Sequence, residues 1–296
     1  MLTPRLAGKK VLLEADWQQQ AEAQRTRAEQ WTQPYRDRRA RGELHPIHDF
    51  LFIYYRFAPS LIETWQPSFE QVLQATQVPP GFNLKYYSCE QQQHYFLDLK
   101  KIETKARRRI DWQLQLLRST QARPAQFGCF GMHEWAMLYQ GGPDGRARHE
   151  GNLPMRLPQT EIDAVVRSQS ICCSHFDAFR FFSPAAMTLN RLQPDQEMRM
   201  KNEQAGCLHT NMDLYKWAAK AMPWIGSELL WDCFEYAVRC REIDMRASPY
   251  DCSSLGYSAI PIETDAGKAE YECAQRSLTA AAQPLRLRLI EKLSQL

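Results

Sequence analysis

Three short stretches hold most of the groups in this chain that could do chemistry. The first is Gly206-Cys207-Leu208-His209-Thr210-Asn211-Met212-Asp213-Leu214-Tyr215-Lys216-Trp217, a glycine-led turn running into a predicted helix. On a helix, His209, Asp213 and Lys216 share one face, because residues three and four apart are neighbours there. Leu208, Met212, Tyr215, Ala219 and Met222 form a second, apolar stripe, so one face can be buried while the other offers an imidazole, a carboxylate and an amine to a cleft. The other two stretches are Gly128-Cys129-Phe130-Gly131-Met132-His133-Glu134-Trp135 and Cys172-Cys173-Ser174-His175-Phe176-Asp177-Ala178-Phe179-Arg180-Phe181-Phe182. Each repeats the order of small or cysteine-bearing turn, histidine, acid and aromatics, and the expectation is that all three meet at one site.

Such a site has two chemical readings. His175, Asp177 and His209 have the composition of a two-histidine, one-carboxylate centre for non-haem iron, and the neighbouring Cys172, Cys173 and Cys207 could favour zinc. Without metal, Glu134, Asp177 and Asp213 each lie beside or one turn from a histidine. They could serve as bases or as stabilisers of positive charge, or simply orient buried histidines. His133 and His209 would complete the walls. Aromatic residues crowd the same stretches, among them Trp135, Phe179 and Tyr215. Those that line a pocket would suit a flat, cationic base.

The elements that must position these groups read as helices. A long amphipathic helix is predicted from about Leu12 to Arg41, bent or interrupted at Pro34. His45-Pro46-Ile47-His48-Asp49 starts a greasy element, with His48 and Asp49 at its rim. Prolines break residues 59 to 95, with Asn83 to Tyr87 as a short strand. From Leu97 to Ser119 the apolar positions step by three or four, predicting a helix whose other faces carry Lys100, Lys101, Lys105, Arg107, Arg108 and Arg109. That cluster could contact phosphates, with Lys101, Lys105 and Arg108 as the named contacts; a solvated face is the alternative. Gly141 to Gly145 reads as an exposed loop, and Thr160 to Arg167 as a short helix. Ser227 is the expected N-cap of a helix ending at Ser248-Pro249, with Arg246 and Asp251 held in a rigid loop at its end. Thr264 caps a last helix, broken at Pro284. The predicted fold is mainly α: a single large helical domain at 45–296 with irregular loops and at most short strands, preceded by an N-terminal helical arm at 1–44.

Composition narrows the classes. The 296 residues are 44% hydrophobic and 24% charged, as in a globular protein. None of the 13 glycines falls in a Gly-x-Gly-x-x-Gly or Walker pattern, which argues against a dinucleotide or P-loop fold. A net charge of +3 permits a nucleic-acid partner without demanding one. Nine cysteines, an odd number with no CxxC pair, predict free thiols in a reducing cytoplasm. No apolar run approaches the roughly 18 residues of a membrane span.

The chain also resembles a bacterial family, common in actinobacteria, labelled 3-methyladenine DNA glycosylase. The resemblance runs from His45-Pro46 to near the C-terminus. It is carried by the three stretches above, by His48-Asp49-Phe50-Leu51-Phe52, by Asp244-Met245-Arg246-Ala247-Ser248-Pro249-Tyr250-Asp251 and by Gly267-Lys268-Ala269-Glu270-Tyr271. The chain lacks the helix-hairpin-helix turn with its catalytic aspartate and the HEAT-like repeats of other helical alkyl-base glycosylases. The resemblance implies removal of an alkylated base from DNA by N-glycosidic hydrolysis, without a cofactor. Asp213 or Asp177 would stabilise the sugar cation or activate water. Trp135, Phe179 and Tyr215 would hold the base, with His48, His133, His175, Lys216 and Arg246 lining the pocket and the Lys100 to Arg109 helix holding phosphates. The alternatives are an iron- or zinc-dependent enzyme acting on a small molecule or nucleoside, with His175, Asp177 and His209 as ligands, and a non-catalytic helical binding protein.

Overall fold

A computed structural model describes residues 6–79, 81–141 and 153–296. In chain order the elements are β1 (Lys10–Leu12), α1 (Glu14–Ala40), α2 (Phe50–Tyr54), α3 (Ser60–Glu63), β2 (Gln71–Gln74), β3 (Tyr87–Glu90) and β4 (His94–Leu97). Next come α4 (Thr104–Ala122), α5 (Met132–Leu138), α6 (Gln159–Ser168), α7 (Phe176–Phe179), α8 (Pro184–Met187) and α9 (Arg199–Asn202). The chain closes with α10 (Leu208–Lys220), α11 (Ser227–Arg246) and α12 (Asp265–Ser294). The protein is mainly α, with one small sheet in the order β1-β2-β4-β3. β1 runs parallel to β2 and the other pairs are antiparallel.

Helix α10 is the centre of the fold. It packs against α11 and α12, and α4 closes over α12 and α9. Of its residues only Lys216 and Lys220 escape full burial. The expectation of a polar face open to a cleft is therefore corrected: that face is covered too, by α9 and by the chain around His175. Residues 6–44 are tied to the rest of the protein. β1 pairs with β2 through Val11 and Val72, Arg38 binds Asp49 and Arg36 binds Glu63. Ala28 and Tyr35 of α1 belong to the main core.

Several boundaries differ from the sequence reading. α1 and α12 run through Pro34 and Pro284 without a break. A proline inside a helix costs about 3 kcal/mol, but burial on both sides outweighs it: Thr32 and Tyr35 flank Pro34, while Ala282, Arg286 and Leu289 flank Pro284. α4 starts at Thr104 rather than Leu97, because Leu97 ends β4 and the Asp98 carboxylate caps a short turn by accepting from Lys100 N at 3.1 Å. The predicted strand at Asn83 begins only at Tyr87. Ser227 is the first residue of α11 rather than its N-cap, since its Oγ accepts from Gln66 N at 2.8 Å. Thr264 does cap α12, accepting from Gly267 N at 3.0 Å. Of the predicted loop at 141–145, everything from Gly142 onward lies outside the described residues.

One glycine at this cap is enforced by close packing. A Cβ on Gly267 would sit 2.0 Å from Pro261 O and 2.3 Å from Pro261 C, both backbone atoms. Glycine to alanine inside a helix usually gains about 0.5–1 kcal/mol. Here Gly267→Ala is expected to destabilise, by about 1–3 kcal/mol, as overpacking does. Urea denaturation checks the sign, and a stabilised variant would refute the close approach.

Candidate functional site

The three histidine stretches do converge. The rings of His133 and His209 lie 4.2 Å apart, centroid to centroid, and those of His175 and His209 5.6 Å apart. Local backbone geometry places each one. Phe130 and Gly131 both take left-handed φ values, 44° and 68°, immediately before α5, which turns His133 inward. A side chain at Gly131 would press on Tyr271, 3.2 Å from its hydroxyl. Gly206 leads α10 past Gln126, so closely that a Cβ there would meet Gln126 O at 2.5 Å. His175 is the N-cap residue of α7.

Around these rings the charges divide into two buried groups. In the first, Asp213 Oδ1 accepts from the Tyr55 hydroxyl at 2.8 Å. Its Oδ2 accepts from Arg199 at 3.0 Å and Lys216 at 3.1 Å and lies 3.3 Å from His175 Nε2. Lys216 also binds Asp177 at 2.7 Å, and Arg199 binds Glu203 at 2.6 Å. Burial works against the Asp213 charge, but Lys216, His175 and Arg199 outweigh it and hold the carboxyl well below its usual range. Burial likewise opposes the charge of Lys216, and Asp213 and Asp177 overcome it.

In the second group, Arg241 binds Glu134 at 2.7 Å and Asp244 Oδ2 at 2.8 Å. Its Nε donates to Pro46 O at 3.2 Å, and the guanidinium lies 3.8 Å from the Phe50 ring centroid. His133 Nε2 is 3.2 Å from Asp244 Oδ1 and 3.5 Å from Glu134 Oε1, off the line of a hydrogen bond to either. Burial disfavours the His133 cation, yet Asp244 and Glu134 hold its pKa up at about 10. His209 has the opposite balance: burial first, then the neighbouring His133 charge, lower it to about 3, so it is a neutral imidazole.

Beside the second group lies a cavity of about 310 Å³. His133 and His209 form part of its wall together with Cys129, Cys172, Cys173, Cys207, Arg191 and Tyr271. Burial pushes the Cys207 thiol up to about 12 and raises Cys173 as well, so both are neutral thiols at physiological pH. All nine cysteines are free.

The expected site residues redistribute accordingly. His133 and His209 line the cavity, with Glu134 directly behind; His175, Asp177, Asp213 and Lys216 form the ion network one layer away. Three aromatics expected to hold a base are core residues instead. Trp135 is fully buried and its indole donates to Ala247 O at 2.9 Å. Phe179 packs on Phe182, and Tyr215 packs among Tyr55, Phe57 and Phe234. His48 sits elsewhere, 3.0 Å from the Tyr257 hydroxyl and stacked on His45. Arg246 donates to Ser258 O at 2.9 Å. Of the phosphate contacts, Lys101 is not on α4 and donates to Tyr87 O, while Lys105 and Arg108 are exposed on α4; none of the three lines the cavity.

The metal triad also splits. His175, Asp177 and Asp213 can bring ligand atoms within 4.8 Å of one another, and so can His133, His209 and Asp244, but His209 belongs to the second set. The two sets differ in fitness. A metal in the first would have to expel the buried Arg199 and the half-buried Lys216, both already bound to its carboxylates. In the second it would have to displace only the His133 proton: Asp244 Oδ1 and His133 Nε2, 3.2 Å apart, are buried with no hydrogen bond among the described residues, while Arg241 fixes the other Asp244 oxygen. Ligand atoms sharing one face of a zinc or iron ion are about 3 Å apart, given bonds of about 2 Å, so a set lying within 4.8 Å would contract on binding. Sequence reasoning passes over Asp244, Arg241 and Arg199. A signal exists for Asp244: it falls four residues after Cys240 on the buried stripe of α11, and Arg241 lies three before it.

Comparison with protein families, with curated proteins and with solved structures finds no match for this chain.

Proposed function

We propose that the chain is a metal-dependent enzyme acting on a small molecule in the thiol-walled cavity, with His133, His209 and Asp244 holding the ion. The observation that carries this reading is the buried pair Asp244 Oδ1 and His133 Nε2, 3.2 Å apart as an ion pair and neither in a hydrogen bond, next to His209, which with His133 lines the cavity. A divalent ion would take over the positive charge that the His133 proton supplies to Asp244 and Glu134. Two histidines and one carboxylate leave coordination positions open, the composition used by non-haem iron(II) and by catalytic zinc. Such an ion would polarise a bound oxygen or activate a water.

Metal analysis of protein purified without chelator tests the assignment. About one iron or zinc per chain is expected, with affinity falling at least tenfold in His209→Ala and Asp244→Asn, as expected for loss of a ligand. His175→Ala should keep its metal. Failure of the parent protein to hold or take up either ion, or loss confined to His175→Ala, overturns the proposal.

The glycosylase reading stands second, on the size of the cavity, which lies at the lower end of the roughly 300–1,000 Å³ of ligand pockets and suits a single base. It would place the base against Tyr271 and the histidines rather than against Trp135, Phe179 and Tyr215. Release of 3-methyladenine from alkylated DNA supports it; no release under conditions where a known glycosylase acts removes it.

A further inference from the structure

We infer that the cavity takes a small organic oxyanion whose acid group is held at the mouth by Arg191. The inference deepens the metal-centre reading and rests on it for the inner end of the ligand alone, where a second oxygen would reach the ion beside His133 and His209.

The charge distribution carries the argument. Arg199, Lys216 and Arg241 each bind two or more carboxylates inside the protein, and the His133 cation in the cavity wall faces Asp244 and Glu134, so these charges are matched from within. No aspartate or glutamate lines the cavity. Arg191 does line it, is solvent-exposed, and has no side-chain ion pair among the described residues. A cation at the mouth of an acid-free cavity favours an anion over a neutral or cationic ligand.

Arg191 is also held in place. Its backbone N–H donates to Ile171 O at 3.0 Å. The side chain of the preceding Asn190 accepts from Cys173 N at 2.7 Å and donates to Cys173 O at 3.0 Å and Leu192 O at 2.6 Å. This clamp fastens the segment bearing Arg191 to the Cys172-Cys173 wall, so the guanidinium's base does not have to be ordered on binding. A planar guanidinium pairs two oxygens of a carboxylate or phosphate at once. The rest of the lining mixes Ile171, Met132, Leu208 and the thiols with Ser170, Ser174, Gln126 and Gln204, which suits a short body with both apolar and hydrogen-bonding parts. With about 310 Å³ of space, the whole ligand is no larger than a small metabolite.

Calorimetric titration of the full chain with succinate, inorganic phosphate and succinamide tests the inference. Succinate is the carboxylate arm, phosphate the phosphate arm, and succinamide the neutral control of succinate's shape. At least one anion is expected to bind, succinamide is not, and Arg191→Gln should weaken the anion at least about tenfold, the loss of a charge-assisted pair. Arg191→Lys should restore part of the affinity. Bound anion should also slow alkylation of Cys172, read by peptide mass spectrometry, which places the ligand in this cavity. No binding by either anion, equal binding of succinamide, unchanged affinity in Arg191→Gln, or unaltered Cys172 labelling each overturns the inference. The metal reading fails separately. If the chain holds no iron or zinc yet binds succinate through Arg191, the oxyanion site survives; metal bound by His133, His209 and Asp244 without anion affinity leaves the centre standing and removes the oxyanion.

Discussion

An Arg199→Met protein is expected to be less stable than the parent by about 3–5 kcal/mol, the cost of removing one partner from a buried ion network. Arg199 is nearly buried and binds Glu203 at 2.6 Å, Asp213 at 3.0 Å and Asp177 at 3.3 Å. It also lies 5.2 Å from the Trp217 ring centroid. Without it, Lys216 remains to serve both Asp177 and Asp213, while the fully buried Glu203 carboxylate keeps, among the described residues, only His175 at 3.8 Å. Adding Glu203→Gln should recover part of the loss, because the uncompensated charge is then gone and the two substitutions share a contact. Denaturant midpoints for the two singles and the double measure this. Additive effects would show that the network is not a unit.

The same variant has a defined pH signature. The Asp213 carboxyl is held below its ordinary value, so it binds fewer protons in the folded state than in the unfolded one. It therefore contributes stability above the unfolded pKa of about 3.9, and that contribution fades as pH falls further toward the folded value. Arg199 supplies part of the depression. The stability gap between parent and Arg199→Met should thus be full at neutral pH and narrow below about pH 4. A gap that is constant down to acid pH would mean that Arg199 acts through packing rather than charge.

The second large effect is at Arg241, which is almost fully buried between Glu134, Asp244 and the ring of Phe50. Arg241→Met should again cost about 3–5 kcal/mol, with the carboxylates of Glu134 and Asp244 left to His133 alone. This variant also reports on the metal. An ion bound by His133, His209 and Asp244 supplies the missing positive charge and binds only the folded chain, so it raises stability by mass action. Zinc or iron(II) should therefore raise the melting temperature of Arg241→Met by more than it raises that of the parent. An equal or smaller rise in the variant would place the ion away from Asp244.

Helix periodicity makes a good part of the site legible. His209, Asp213 and Lys216 do lie one turn apart on α10, the glycine before each of two motifs does lead the chain inward, and the three histidines do meet. These are local matters: i, i+3 and i+4 neighbours are set by the geometry of the helix itself, and a close backbone approach leaves its trace as a glycine. Free thiols are legible from the cysteine count and spacing, and the mainly α fold from the stepping of apolar positions along α4, α10 and α11.

What periodicity cannot say is what stands opposite each face. Asp213 reads the same whether its face opens to a cleft or meets Arg199 and Tyr55, and only the approach of α9 and of Tyr55, just past α2, makes it a buried structural charge. Trp135 reads as a stacking platform until its indole finds Ala247 O, far along the chain. Sequence proximity to His175 makes Asp177 the expected carboxylate partner of His209; the fold instead brings Asp244 from the end of α11. Pro34 and Pro284 read as breaks because local strain is visible in sequence and the burial that overcomes it is not. Which groups share a helix face is written in the order of residues alone, since it depends on neighbours within one turn. Which acid meets which histidine, and which face closes, is decided by contacts between residues distant in the chain, whose identity no local spacing encodes.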